Sequence, residues 1–191
     1  MEGAFQSSAR IFNRVGFSPN TLTLIGLVIT LIVAALYSTG LFGWAWAGSV
    51  VGLLVAGYFD AVDGAMARKY ARVSKVGGVL DSVFDRIGEI ALYSGLALGG
   101  LVSVWVGLWA LSASLMVSYV RARVSVEGVT LKGVGLAERP ERLLILLVAT
   151  TFWPANPNIL FWGVLLVALL SSVTVVERVY RASKVLLREE A

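Results

Sequence analysis

The 191-residue chain is 58% hydrophobic and only 15% charged, whereas a soluble domain is about 45–50% apolar and about 25% charged. Mean hydropathy is +0.82, formal net charge is +4, and there is no cysteine or histidine. The composition excludes an ordinary soluble domain, and the missing residues exclude disulfides, thiolate nucleophiles, imidazole bases and Cys/His zinc sites.

In chain order, the first sixteen residues mix Phe5, Ile11, Phe12 and Val15 with Arg10, Arg14 and serines. This pattern predicts a short amphipathic helix lying in the membrane interface and no cleaved signal peptide. Three stretches without any Asp, Glu, Lys or Arg then occur, Val15 to Phe59, Ile90 to Val120 and Leu143 to Val176. A single span takes about 20 apolar residues, so each stretch suits two helices. Turn signals stand near their middles: Ser38-Thr39-Gly40, Gly99-Gly100, and "PANP" at Pro154 to Pro157. The expectation is an all-α integral membrane protein with an N-terminal interfacial amphipathic helix and six transmembrane helices in three hairpins. The spans fall near 20–38, 41–66, 79–99, 103–125, 139–153 and 158–184, the fifth beginning in the charged segment before Leu143. No internal repeat is present, so residues 1–191 form one membrane domain, 1–16 as a juxtamembrane segment and 20–184 as the core. Gly95, Gly99 and Gly107 permit close helix packing in the third and fourth spans.

Three hairpins put both termini and both long loops on one side. All sixteen Lys and Arg residues, from Arg10 to Arg188, fall there, and the opposite turns carry none. The positive-inside rule makes that side cytoplasmic and the protein integral to the cell membrane. The basic face also suits anionic lipids and anionic substrates, and nothing in the sequence calls for nucleic acid.

All twelve acids lie on that same side. Asp60 and Asp63 are three residues apart near the end of the second span, and Asp81 and Asp85 are four apart at the start of the third. On helices both spacings put the pair on one face. Adjacent antiparallel helices can then gather all four carboxylates. At about 5 Å and an effective dielectric of about 20, each like-charged pair costs on the order of 3 kcal/mol. Arg68, Lys69, Arg72, Lys75 and Arg86 are near enough in sequence to offset part of this charge. An all-carboxylate set also suits hard cations, and four carboxylates suffice for two of them, Mg²⁺, Mn²⁺ or Ca²⁺. Gly64 and Gly77 let a ligand or a second helix approach closely, and Arg68 can hold a phosphate. A cation channel or transporter is the rival reading of such acids, but it predicts charges at mid-membrane on broken helices.

The full pattern, Asp60-x2-Asp63-Gly64-x2-Ala67-Arg68-x8-Gly77-x3-Asp81-x3-Asp85, resembles the CDP-alcohol phosphotransferase signature at all eight defining positions. The resemblance extends to six spans with the motif across the second and third. It implies transfer of a substituted phosphate from a CDP-linked lipid to an alcohol, with release of CMP. By motif position, Asp60, Asp63, Asp81 and Asp85 hold two divalent cations, Mg²⁺ or Mn²⁺, and Asp85 is the general base for the acceptor hydroxyl. Gly64, Ala67, Arg68 and Gly77 surround the CDP moiety. "PNTLTLIG", with Asn20 and Thr21, resembles the family's nucleotide-side helix start, although Ser18 or Asn20 equally reads as an ordinary helix cap. The family precedent is a homodimer.

"SYVRARVSVEGV" (118–129) and "GLAERPERLLIL" (135–146) resemble the subgroup that makes phosphatidylinositol phosphate or archaetidylinositol phosphate. That resemblance implies CDP-diacylglycerol or CDP-archaeol as donor and inositol 1-phosphate as acceptor. A phosphate dianion needs two or three cationic donors, and Arg121, Arg139 and Arg178 are the expected set, with Arg142 next. Glu138 and Glu141 are placed to pair with some of these arginines instead. The alternative acceptor is glycerol 3-phosphate, which would make the enzyme a phosphatidylglycerol-phosphate synthase.

Overall fold

The structure is a computed structural model that describes residues 2–70, 74–131 and 133–189. Among the described residues it is all-helical, with α1 Glu2–Arg14, α2 Pro19–Ser38, α3 Ala45–Lys69, α4 Lys75–Leu98, α5 Val104–Val126, α6 Arg139–Phe152 and α7 Asn158–Glu189. Six of these fall where the sequence predicts spans. Four are long and apolar enough to cross a membrane: α2, α3, α5 and α7. Of the other two, α4 carries Lys75, Asp81, Asp85, Arg86 and Glu89, and α6 has 14 residues. At about 1.5 Å per residue α6 is shorter than a hydrocarbon core of about 30 Å. Packing divides the chain into two compact units, Met1–Gly95 and Leu96–Ala191.

In the first unit, α1 and α2 both pack on α3. α1 is amphipathic as predicted, with Ala9 buried in a cluster with Leu22, Val62 and Met66, flanked by Phe5, Phe12 and Phe59. Ile11 is exposed on its far face, and Val15, just past its end, is exposed as well. Gly16, at φ +92°, ends the helix: its N–H donates to Asn13 O and that of Phe17 to Phe12 O. This paired closure satisfies carbonyls the helix leaves open. Ser18 then caps α2, its Oγ accepting from Thr21 N at 3.1 Å, with Pro19 in the first turn.

α3 starts at Ala45 and not at 41 as the apolar pattern predicts, because Gly40, Leu41 and Gly43 all take positive φ and extend the turn. Leu41 is fully buried there, so apolar packing offsets its left-handed backbone. Both helices reach further into the next loop than expected, α3 to Lys69 and α4 from Lys75. Ser74 starts α4 by accepting from Gly77 N at 2.9 Å through Oγ. Close packing around α2 relies on glycine: a Cβ at Gly95 would collide with the Ala34 carbonyl, and one at Gly88 would lie 3.1 Å from Thr30 Cγ2. Gly99 instead falls in the turn after α4, and Gly107 is buried in α5.

In the second unit, α5 and α6 both pack on α7. Val120, Val124, Val129, Leu131 and Ala182 form its buried cluster. α6 begins at Arg139, as predicted, after the extended Glu138 and with Pro140 in its first turn. In the "PANP" turn, Asn156 Oδ1 accepts from Asn158 N at 3.0 Å and starts α7.

Candidate active site

The end of α3 and the start of α4 carry the four aspartates. Asp60, Asp81 and Asp85 each offer a carboxylate oxygen within 4.8 Å of the others, all three residues half-buried. Oxygens across a shared cation at about 2.0–2.6 Å lie about 4–5 Å apart, so this spacing and the all-oxygen donor set fit a divalent ion. Asp63 lies next to this trio, close enough for the charges of Asp60 and Asp81 to act on it. It is 7% exposed, and its Oδ2 accepts from Thr23 Oγ1 at 2.7 Å.

Asp63 and Asp81 share the wall of a groove of about 140 Å³. Of the residues assigned to the CDP moiety, Asn20, Gly64, Ala67 and Gly77 line it. A Cβ at Gly77 would sit 2.9 Å from both Asn20 Oδ1 and Ser74 Oγ, so those side chains would have to shift. Arg68 reaches back along α3, its Nη1 lying 3.3 Å from where a Gly64 Cβ would be. Thr21 serves the helix start: its hydroxyl lies 2.8 Å from Ser18 Oγ.

Three groove or carboxylate partners escape the motif. Thr23 is one turn past Asn20 on α2 and orients Asp63. Ser74 caps α4 and lines the groove. Glu89, 3% exposed, lies 3.6 Å from Arg86 Nε, and Arg86 Nη2 lies 3.3 Å from Asp85 Oδ2. Spacing offered a signal for Glu89, four residues past Asp85, but none for Thr23. Of the other cations near the acids in sequence, Lys69 donates to Gln6 O at 3.2 Å, and Arg72 lies outside the described residues.

The arginines expected at the acceptor belong to the second unit. Arg121 is exposed on α5, Arg139 is half-buried at the start of α6, and Arg142 and Arg178 are both buried. Arg121 and Arg142 are near enough to Arg178 for their charges to act on it. Arg178 has each guanidinium nitrogen engaged at 2.8 Å: Nε donates to Val134 O, Nη1 to Val117 O and Nη2 to Glu138 Oε1. Arg142 Nη1 donates to Ala137 O at 2.6 Å. The structure therefore gathers Arg121, Arg142 and Arg178, with Glu138 on Arg178.

Residues 17–175 match the family model described as CDP-alcohol phosphatidyltransferase. The archaetidylinositol phosphate synthase of Pyrococcus horikoshii is 44% identical over 170 residues, 89% of this chain and 86% of that protein. Among solved structures, the Mycobacterium tuberculosis phosphatidylinositol phosphate synthase is similar at 30% identity. Its complex with manganese and citrate gives a TM-score of 0.80, covering 93% of this chain and 88% of that one. Its form with CDP-DAG bound gives 0.79, covering 93% and 92%. With the eight motif residues in place and the match running over both units, the chain belongs to the CDP-alcohol phosphatidyltransferase family.

Proposed function

We propose that this enzyme transfers a phosphatidyl or archaetidyl group from CDP-diacylglycerol or CDP-archaeol to a hydroxyl of inositol 1-phosphate, releasing CMP. The observation that carries the reaction is the convergence of Asp60, Asp81 and Asp85 beside a groove walled by Asp63, Gly64 and Gly77. The similar proteins, archaetidylinositol phosphate and phosphatidylinositol phosphate synthases, support inositol phosphate as the acceptor.

Asp60, Asp63, Asp81 and Asp85 would hold two divalent cations, Mg²⁺ or Mn²⁺, which neutralise the diphosphate and the charge growing on departing CMP. Gly64, Ala67, Gly77 and Asn20 admit the nucleotide, and Arg68 meets a phosphate. Asp85 takes the proton from the acceptor hydroxyl as its oxygen bonds to the lipid-side phosphorus and the phosphoanhydride P–O bond breaks. A carboxylate suits this role in a chain without histidine. Arg121, Arg139 and Arg178, with Arg142 next, are the proposed ligands of the acceptor's phosphate; each Arg178 nitrogen already donates one bond within the protein, so only its remaining N–H groups would serve.

We read residues 1–191 as one membrane domain, a reading supported by the family match over residues 17–175, which includes parts of both units. In this reading α2, α3, α5 and α7 cross the membrane, the more charged α4 and the short α6 complete the six spans with help from their flanking turns, α1 lies in the interface, and termini and active site face the cytoplasm. A homodimer accords with the family precedent.

The deciding assay supplies purified protein with CDP-diacylglycerol or CDP-archaeol, Mg²⁺ or Mn²⁺, and either inositol 1-phosphate or glycerol 3-phosphate, and follows CMP. Turnover with inositol 1-phosphate is expected. Turnover with glycerol 3-phosphate alone would replace the acceptor while leaving the chemistry intact.

A further inference from the structure

Thr174 lies in α7 between Val173 and Val175, near the end of the charge-free stretch that runs to Val176, and is fully buried. A valine would fill the same space without a polar atom. The hydroxyl is nonetheless fully used. Its proton goes to Leu170 O at 2.8 Å, and its oxygen accepts from Leu136 N at 3.1 Å and Ala137 N at 3.2 Å. One donor and two acceptor sites are all that a threonine hydroxyl has.

Both accepted bonds come from the segment 134–138, which leads into α6. The same segment is held at other points: Arg178 takes Val134 O and the Glu138 carboxylate, and Arg142 takes Ala137 O. Gly135, at φ +109°, lies so close to Thr174 that a Cβ would collide with its Cγ2. No L side chain takes that backbone cheaply, so the glycine both allows the turn and lets the segment reach the hydroxyl. Arg139 follows one residue after this fastened segment.

We propose that Thr174 is a positioning residue for acceptor recognition: by fastening residues 134–138 onto α7 it sets where Arg139 stands at the start of α6. The inference rests on the reading of Arg139 as an acceptor-phosphate ligand. Without the hydroxyl, the Leu136 and Ala137 amides lose their shared acceptor and the segment can shift. A misplacement of about 1 Å is enough to cost about a hundredfold in rate or affinity.

The test compares Thr174→Val, Thr174→Ser and Gly135→Ala with wild type in detergent or vesicles. The expected result is an acceptor KM raised about tenfold or more in Thr174→Val and Gly135→Ala. The CDP-lipid KM stays near wild type, and Thr174→Ser restores the acceptor KM. Hydrogen–deuterium exchange of residues 133–139 should speed up in Thr174→Val and stay slow in Thr174→Ser, a readout independent of turnover. Unchanged exchange or unchanged acceptor KM in Thr174→Val overturns the inference, as does an equal rise in both KM values. If Thr174→Val does not fold, Gly135→Ala decides by the same two readouts. Failure of wild type to use inositol 1-phosphate is a separate result, which removes the acceptor reading and this inference with it.

Discussion

The aspartates do unequal work. Asp60, Asp81 and Asp85 face one another, while Asp63 is set deeper and takes its direction from Thr23. Asp85→Asn keeps the shape but removes both the proposed base and one carboxylate charge from the cation site. Its kcat should fall by about 10²–10⁴-fold, with CDP-lipid binding measurable by calorimetry largely kept; wild-type turnover would take Asp85 out of the base role. Thr23→Val removes the donor that orients Asp63. Loss of an orienting partner costs about 10–100-fold in metal affinity, so Mn²⁺ titration followed by electron paramagnetic resonance should show weaker binding. Unaltered titration would confine Thr23 to helix packing. The aspartates were legible in the sequence because both pairs carry helical spacing beside charge-free segments. Thr23 was not, since it meets Asp63 only across 40 residues of chain. Arg178 was legible as a cation but not in its commitments, because two of its partners are main-chain carbonyls, which leave no mark in a sequence.

At the scale of elements, glycines decide how near α2 its neighbours come. Gly95→Ala pushes a methyl into the Ala34 carbonyl, which has no rotamer to escape by. Overpacking of this kind costs about 1–3 kcal/mol, and the midpoint of thermal unfolding in detergent should fall. Gly57→Ala, with open space around its Cβ inside α3, should leave that midpoint unchanged or slightly raised; equal effects from both would mean that the tight approach contributes nothing. The helices after α1 followed from apolar run length, and the start of α6 from the need to lengthen its span into the charged segment before Leu143. The late start of α3 did not, because Leu41 is an ordinary apolar residue whose left-handed backbone comes from its turn and its burial.

For the whole molecule, the charge layout predicts sidedness, and the absence of cysteine makes it directly measurable. An impermeant maleimide should label Asn156→Cys from outside intact cells, and Glu127→Cys only after the membrane is opened. Labelling of Glu127→Cys in intact cells would invert or undo the six-span topology. The division into Met1–Gly95 and Leu96–Ala191 also bears on how the protein is made. All four aspartates, the groove and Thr23 lie before residue 96, and Asp63 and Asp81 are joined by only a short connection. The residues of the proposed cation site are therefore all synthesised before the second unit, and a divalent ion bound there would offset the mutual repulsion of the carboxylates.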